Sequence, residues 1–225
     1  MASVKFLGHS SFLIEIGGKT IITDPWLNPK PKESQRRVAP GMALEQIRKA
    51  DLILISHEHY DHCDPFDIQR LHEKTFAQVL GPEEALAKLT LPERSKMAAY
   101  VGDAFNLMGL DITVTQAKHP QSANPVGYVV SDGEKSVYFA GDTYDFYDMT
   151  KIQVDTALIP IGGVYTMDII SSIKALKQLR CKFVVPMHYD TFDRIKVNLN
   201  DFETKVRKET KAEPVILSPG ESFDF

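Results

Sequence analysis

Three histidines and an aspartate lie within six residues of this chain, directly after an apolar run. The run at 52–55 is typical of a buried strand, and it is followed by His57, His59, Asp61 and His62. Imidazole and carboxylate groups crowded at the end of an interior strand are costly to bury without partners. They are also the usual ligands of zinc-like divalent cations. The spacing H-x-H-x-D-H therefore predicts a metal centre, because a histidine-rich surface loop without an ion would rarely produce it.

Four more residues share that position, each beside a turn at the end of an apolar run: His9, His119, Asp142 and His188. Taken alone, a histidine at a strand end is more often a hydrogen-bonded core or edge residue. The cluster described above changes that balance, because a metal centre needs further ligands from elsewhere in the chain. The metal-ligand interpretation is therefore favoured for this set.

Length, composition and charge limit the function classes. The chain has 225 residues, of which 43% are hydrophobic, and this fits one large α/β domain or two small ones. The net charge is −4 and no long basic cluster is present. This balance argues against general binding to nucleic acids or anionic membranes, which depends on Lys and Arg. We expect a small-molecule substrate as the partner, with no nucleic acid and no membrane; the sequence leaves a homo-oligomer open.

Cysteine usage and the N-terminus predict the compartment. The two cysteines, Cys63 and Cys181, have no C-x-x-C spacing, so their number excludes a disulfide framework and a thiolate zinc site. The N-terminal residues show strand-like alternation, without the pattern of a signal peptide or an apolar span near twenty residues. We therefore expect a protein of the reducing cytoplasm.

The chain repeats one pattern. In the first half a predicted hairpin ends at Asp24 and a buried strand begins at Asp51; in the second half a hairpin ends at Asp142 and a buried strand begins at Asp155. A helix and a short buried strand follow in each half. The repeat predicts an α/β fold of two mixed β-sheets packed face to face, with helices on the outer faces. We expect one domain over residues 1–225, with an internal pseudo-twofold duplication.

Local signals predict several individual elements. Asp64, which is followed by proline, and Asp168 are typical helix N-caps. Residues 42–49 are predicted to be helical, and 215–217 to form the last strand. Residues 27–41 contain three prolines and several basic residues, so a long surface loop is expected. Whether that loop is a plain solvated loop or a lid that contacts substrate stays open.

The order of the motifs resembles a known superfamily. An H-x-H-x-D-H motif, an isolated histidine, a Gly-Asp-Thr sequence and a last histidine follow one another over nearly the whole chain. This order is similar to that of the metallo-β-lactamase superfamily. Leu-Gly-His-Ser-Ser-Phe-Leu at 7–13, Asp-Pro-Trp at 24–26 and Pro-Ile-Gly-Gly at 160–163 resemble a narrower branch. That branch holds small metal-dependent hydrolases related to ascorbate-phosphate lactonases and to the core of N-acylphosphatidylethanolamine phospholipase D.

The resemblance implies a four-layer αββα sandwich with a dinuclear metal site at the seam between the sheets. The implied ligands are His57, His59 and His119 for the first metal, Asp61, His62 and His188 for the second, and Asp142 as the bridge. Zinc is the first expectation for both divalent ions, while manganese, iron, nickel or cobalt fit the same nitrogen and oxygen ligands. Such a site generates hydroxide from bound water near neutral pH. The implied reaction is hydrolysis of a small ester, lactone or phosphodiester.

Further residues are candidates for supporting roles. Asp61 is the best candidate for a catalytic proton acceptor, or for a donor to the leaving group. Asp24, which the repeat matches with the bridging aspartate, could accept the N–H of a ligand histidine. His9 is either a ligand-supporting or substrate-contacting residue, or a structural one. Tyr144 and Tyr165 could donate a hydrogen bond to an oxyanion, although aromatic packing is the more usual role.

Two alternative functions stay open. The first is a nuclease or RNA-processing phosphodiesterase on the same fold, against which the net charge of −4 counts. The second is a metal-binding protein without catalysis, against which the complete ligand set counts.

Overall fold

The computed structural model describes residues 1–31 and 35–225. This part of the chain forms two seven-stranded β-sheets. The first sheet contains β1 (Ser3–Gly8), β2 (Ser11–Ile16), β3 (Lys19–Thr23), β4 (Leu52–Leu54), β5 (Gln78–Gly81), β6 (Lys96–Ala98) and β14 (Ser222–Asp224). The second sheet contains β7 (Ala104–Leu107), β8 (Leu110–Gln116), β9 (Val126–Ser131), β10 (Ser136–Phe139), β11 (Gln153–Pro160), β12 (Arg180–Met187) and β13 (Glu213–Pro214).

The helices follow the parallel strands of each sheet. They are α1 (Pro65–Thr75), α2 (Glu83–Leu86), α3 (Ile169–Gln178) and α4 (Leu199–Glu209). Short 3-10 helices occupy Leu44–Gln46, Glu93–Ser95, Tyr147–Lys151 and Asp193–Ile195. Among these helices and the rest of the described chain, none is long and apolar enough to cross a membrane.

The predicted architecture of two packed mixed sheets with helices is confirmed. The first sheet has the strand order β14-β1-β2-β3-β4-β5-β6, and the second has β13-β12-β11-β10-β9-β8-β7. In each sheet a set of antiparallel strands continues into parallel ones, with the change at β3–β4 and at β10–β11. Parallel neighbours need crossover connections, and most of these crossovers carry a helix.

Alternating side chains of the first sheet face two different apolar layers. Ile21 and Leu54 belong to the large core cluster that also contains residues of the second sheet. Ile22 and Ile53 belong to a second cluster, which includes the buried face of α1. Successive side chains of a strand point to opposite faces, so one face of this sheet meets the other sheet and its other face meets helices. The strand ends that precede the histidines lie between these two apolar layers.

Two aspartates make similar backbone hydrogen bonds in the two halves of the chain. Asp51 accepts a hydrogen bond from the backbone N–H of Thr20 in β3 at 2.8 Å. Asp155 accepts one from the backbone N–H of Ser136 in β10 at 2.9 Å. Each aspartate therefore joins the start of a parallel strand to the last strand of the preceding hairpin. The similar strand pairing in the two sheets and these two similar contacts support the predicted duplication.

Asp24 and Asp142, which the sequence pattern matched with each other, differ by two residues in their positions in the two halves. The N–H of Asp24 donates to the Leu54 carbonyl at 2.9 Å, and the equivalent bond runs from Ala140 to the Leu158 carbonyl at 3.1 Å. The position that matches Asp24 is therefore Ala140, and Asp142 lies two residues beyond it. The sequence interpretation of these two aspartates as counterparts was wrong, because it aligned residue types without the strand register.

The predicted helix starts are confirmed and two other elements are corrected. The carboxylate of Asp64 caps α1 and that of Asp168 caps α3. The helix predicted over 42–49 is reduced to the single turn Leu44–Gln46, because the residue before it is alanine and offers no capping side chain. The last strand is not 215–217 but β14, which pairs with β1 at the opposite end of the chain.

Candidate metal centre

The predicted ligands lie at one end of both sheets, where backbone hydrogen bonds join the two halves. The N–H of Val126 at the start of β9 donates to the Ser56 carbonyl after β4 at 3.0 Å. The N–H of His188 after β12 donates to the His9 carbonyl after β1 at 2.8 Å. These two bonds cross from one sheet to the other. They fix the relative positions of the histidine-rich loop and the ligands of the second half.

The first group consists of three imidazoles. The Nε2 atom of His57 lies 3.0 Å from Nδ1 of His59, and Nε2 of His119 lies 3.2 Å from the same Nδ1 atom. The three ligand atoms lie within 4.8 Å of one another. Three nitrogen atoms at this separation can all reach one cation at the zinc–nitrogen distance of about 2.0–2.1 Å.

The second group contains two histidines that were predicted as ligands and one that was left open. Its members are His9, Asp61, His62 and His188, with ligand atoms within 4.8 Å of one another. Nε2 of His9 lies 3.2 Å from Oδ2 of Asp61. The imidazoles of this group are buried. The arrangement can hold a second cation.

Asp142 lies between the two groups. Its Oδ2 atom is 3.1 Å from Nε2 of His188 in the second group and 3.9 Å from Nε2 of His119 in the first. Its Oδ1 atom is 3.4 Å from Nε2 of His62. A carboxylate in this position can reach ions in both groups. The bridging role of Asp142 stays a prediction that this geometry supports.

Two buried polar atoms at the centre support the fit of a cation. Nε2 of His62 and Oδ1 of Asp142 lie 3.4 Å apart, and neither atom makes a hydrogen bond within residues 1–31 and 35–225. Buried polar groups are almost always paired, so such atoms need an explanation. A divalent cation between them would satisfy both, and the donor set of imidazole and carboxylate suits zinc, manganese, iron and nickel.

The remaining ring nitrogens of four histidines meet fixed acceptors. Nδ1 of His62 lies 2.7 Å from Asp24, and Nδ1 of His57 lies 2.9 Å from the hydroxyl of Ser56. Further contacts join Nε2 of His59 to the Gln121 carbonyl at 3.1 Å and Nδ1 of His119 to the Tyr165 carbonyl at 3.2 Å. Such contacts fix the tautomer and leave the other nitrogen to face the centre.

The local charges favour the ligand-competent protonation states of His57 and Asp142, whereas His62 keeps a proton. Burial lowers the pKa of His57 well below its ordinary value, and the nearby His62 charge lowers it further. Burial opposes ionisation of Asp142, but the charges of His188 and His62 outweigh it and hold its pKa well below the usual range. Burial also opposes a charge on His62, but the Asp142 carboxylate raises its pKa well above normal. A cation bound here would displace that proton.

Asp61 stands at the edge of a cleft and carries a negative charge. Burial raises its pKa, but the charge of His62 and the hydrogen bond to His9 prevail and lower it overall. The cleft has a volume of about 520 Å³ and is lined by His59, Asp61, His119, Asp142 and His188 together with other residues. A small organic molecule fits this volume.

The supporting candidates occupy different places. His9 is completely buried, and its Nδ1 atom lies 2.5 Å from the Thr191 hydroxyl. Burial, and then the nearby His188, lower the pKa of His9 to about 3. Tyr165 lines the cleft, whereas the Tyr144 hydroxyl donates to the Val164 carbonyl at 3.3 Å. Their proposed roles as oxyanion donors stay predictions.

The loop at 27–41 only partly reaches the site. Gln35 lines the cleft, while Leu27 and Asn28 line a separate groove of about 350 Å³. Residues 32–34 lie outside the described part of the chain. The predicted lid therefore stays a prediction.

Several site residues were not found by sequence reasoning. Ser56 donates to Asp24 and contacts His57, and its place directly before the first histidine was an available signal. Thr191 contacts His9 across a separation of 182 residues, so no local pattern reveals it. Phe192 and Arg194 also line the cleft, and their sequence positions carry no signal beyond closeness to the last histidine.

Comparisons with known proteins show what this chain is similar to. Residues 3–188 match the model of the Beta-lactamase superfamily domain. A relative from Korarchaeum cryptofilum, named UPF0173 metal-dependent hydrolase, is 34% identical over 234 residues that cover 100% of both chains. The structure of Igni18, described as a novel metallo hydrolase from Ignicoccus hospitalis, is similar with a TM-score of 0.83 and 34% identity, covering 100% of this chain and 99% of that one. An isothiocyanate hydrolase from Delia radicum gut bacteria shares the fold, with a TM-score of 0.80 and 17% identity over 99% of this chain and 98% of its own.

Proposed function

Because the chain belongs to the metallo-β-lactamase superfamily, and relatives along its whole length are named metal-dependent hydrolases, we propose that it is a hydrolase with a dinuclear metal site. The substrate is a small ester, lactone or phosphodiester. The observation that carries the proposal is the position of Asp142 between two groups of ligand atoms at the floor of a cleft. The unpartnered atoms of His62 and Asp142 support the same assignment.

Each ligand group holds one divalent ion in this proposal, with zinc expected first. His57, His59 and His119 would hold one ion, Asp61, His62 and His188 would hold the other, and Asp142 is the proposed shared ligand. When bound, the two ions would supply an activated water and polarise the carbonyl or phosphoryl oxygen of the substrate. The thiols of Cys63 and Cys181 are free, which supports the reducing cytoplasm as the proposed compartment.

Residues of the chain itself orient the reacting groups and transfer protons in this proposal. The Asp61 carboxylate lines the cleft, and in this proposal it orients the nucleophile and relays a proton to the leaving group. His9 lies 3.2 Å from the Asp61 carboxylate and is itself fixed by Thr191, which holds that carboxylate in one orientation. The aromatic side chains of Tyr60 and Phe192 also line the cleft. The small cleft favours a compact substrate.

Metal analysis of natively purified protein, followed by a screen of lactones, phosphodiesters and thioesters, tests the proposal. We expect metal-dependent hydrolysis of at least one class. The variant His59→Ala should abolish it, while His72→Ala should retain it. His72 is a suitable control because it is a partly buried histidine on α1 whose Nδ1 contacts the Ala77 carbonyl at 2.8 Å, outside the cleft. Fully metal-loaded protein that hydrolyses nothing in the panel would refute the proposal, and strongly salt-dependent RNA cleavage would favour the nuclease alternative.

A further inference from the structure

One positive charge on the cleft has no carboxylate partner among residues 1–31 and 35–225. The neighbouring Asp193 is paired twice, with Arg37 at 2.9 Å and with Lys196 at 3.0 Å. Arg194 lines the cleft, and no carboxylate of the described chain lies within 4.0 Å of its guanidinium. The negative charge closest in sequence is thus already compensated by other residues. The Arg194 charge is available to a ligand in the cleft.

A hydroxyl group stands beside this guanidinium. Nη1 of Arg194 lies 3.5 Å from the hydroxyl oxygen of Tyr165, which lines the same cleft. This distance is at the outer limit of a hydrogen bond, so the contact uses little of the donor capacity of the guanidinium. A guanidinium offers several N–H donors in a planar fork that matches the two oxygens of a carboxylate or phosphate. Together the two side chains present donors that suit an oxyanion.

The segment that carries Arg194 is held in place. Ile195 is completely buried, and its carbonyl accepts a hydrogen bond from the N–H of Asp190 at 2.9 Å. The Asp190 carboxylate accepts another from the N–H of Val197 at 3.0 Å. The C-terminal end of the short 3-10 helix Asp193–Ile195 is therefore fixed. Fixed donors lower the ordering cost of ligand binding.

The segment that carries Tyr165 is fixed as well. Its carbonyl accepts from Nδ1 of the ligand candidate His119 at 3.2 Å. The preceding residue, Val164, has a φ of 62°, which a β-branched residue adopts only when the surrounding structure enforces it. The Gly163 N–H donates to the Met167 carbonyl at 2.9 Å and closes this turn. The turn therefore couples the position of the Tyr165 hydroxyl to the metal centre.

From this geometry we propose that Arg194 and Tyr165 form an oxyanion subsite that selects substrates with a carboxylate or phosphate group separate from the scissile bond. The inference rests on the proposed hydrolase function and names its substrate class. Aromatic side chains at the cleft, Tyr60 and Phe192, would contact the apolar or planar part of the same molecule. The preferred substrate is thus a small anionic ester, lactone or phosphodiester with a compact apolar body.

The first arm of the test measures turnover on matched substrate pairs. Phenyl acetate is compared with 4-carboxyphenyl acetate, and a neutral γ-lactone with its carboxylate derivative, in the protein with native metal content. We expect kcat/KM to be about 10- to 100-fold higher for the anionic member, as one charged hydrogen-bonding contact provides. Arg194→Gln should reduce this ratio by a similar factor, and Tyr165→Phe by about fivefold. Lys177→Gln, which removes a cation on α3 that pairs with Glu209 outside the cleft, should leave the ratio unchanged.

The second arm measures binding without turnover. Calorimetry compares 4-carboxybenzamide with benzamide, in the wild type and in Arg194→Gln at equal metal content. We expect the carboxylate to improve the affinity of the wild type about tenfold or more, and the variant to lose this gain. Equal affinities in the wild type, or a gain that persists in Arg194→Gln because the carboxylate binds the metals, would overturn the subsite. Absence of hydrolysis throughout the first arm would refute an ester or lactone substrate, while the binding arm would still decide on the subsite.

Discussion

Nδ1 of His62 lies 2.7 Å from Oδ2 of Asp24, and both side chains are completely buried beneath the metal centre. The other oxygen of the carboxylate accepts from the backbone N–H of Ser56 at 2.7 Å. Asp24 thus contacts both His62, a candidate ligand of the second group, and Ser56, the residue directly before His57. Acceptors of this kind orient a metal-bound imidazole and increase its basicity. The positions of these acceptors determine how closely the imidazoles already have the orientation that metal binding requires.

Asp24→Asn should therefore weaken metal binding. The amide keeps the shape of the side chain, but it removes the negative charge that His62 faces. We expect metal affinity at the weaker of the two sites to fall about 10- to 100-fold, measured by competition with a chromophoric chelator. Asp67→Asn is the matched control, because Asp67 is also a buried carboxylate and accepts from the Leu27 N–H at 2.5 Å outside the centre. Equal losses in both variants would contradict an orienting role for Asp24.

Gly141 occupies a position where a side chain would collide with the junction of the sheets. A Cβ atom there would lie 2.6 Å from Cβ of Ser56 and 2.9 Å from the Val126 carbonyl, and the φ of the residue is 59°. Gly133 has a φ of 89° but open space around the same position. We expect Gly133→Ala to cost about 1 kcal/mol in the free energy of unfolding, from its backbone conformation alone. Gly141→Ala should cost about 1–3 kcal/mol more, because of the collision.

Chemical denaturation of both variants measures these costs. Gly141→Ala should also lower metal affinity, since it displaces the segment that carries Asp142, while Gly133→Ala should not. Equal stabilities of the two variants would show that the junction can relax around a methyl group.

The contacts of Asp155 in the second half of the chain predict how the stability of the protein depends on pH. The carboxylate of Asp155 accepts from Lys182 at 2.7 Å and from the Ser136 N–H at 2.9 Å. Burial raises the pKa of Asp155, but these hydrogen bonds outweigh it and lower the pKa below the ordinary value of 3.8. The folded state thus binds a proton less readily than the unfolded state. The stabilisation is fully present above that ordinary value and is lost as the pH falls through the lower pKa of the folded state.

Asp155→Asn should accordingly destabilise the protein by about 1 kcal/mol at neutral pH. The difference from the wild type should shrink as the pH falls below 4, which urea denaturation at several pH values measures. Asp148→Asn provides the control, because Asp148 forms an exposed ion pair with Lys151 one helical turn away. A difference for Asp155→Asn that stays constant down to pH 3 would contradict the ion-pair explanation.

Much of the fold follows from local sequence, because its signals act over a few residues. The caps at Asp64 and Asp168 and the strands of the first hairpin are examples, since side-chain capping and alternation are local properties. The pairing of β14 with β1 joins the two ends of the chain, as in the match of Ser3 with Asp224. No local pattern specifies such a pairing, so the last strand was misplaced.

The candidate site also combines features that follow from residue type with contacts between distant parts of the chain. The residues predicted as ligands stand at strand ends that the topology brings together, and their types alone indicated metal chemistry. Contacts such as His9 with Thr191, and the place of Arg194 on the cleft, depend on how distant loops meet. Their side chains have many ordinary roles, so residue type without the fold could not identify them.

The central claim is that two ions bind on either side of Asp142, and counting metal ions per chain tests it most directly. Natively purified wild type and Asp142→Asn would be saturated with zinc, freed of loose metal and analysed by mass spectrometry of the intact complex, with circular dichroism to verify folding. We predict two ions per chain in the wild type and no more than one in Asp142→Asn, because the carboxylate contacts both ligand groups. A wild type that binds only one ion at saturation, or a variant that retains two with unchanged affinity, would contradict the claim.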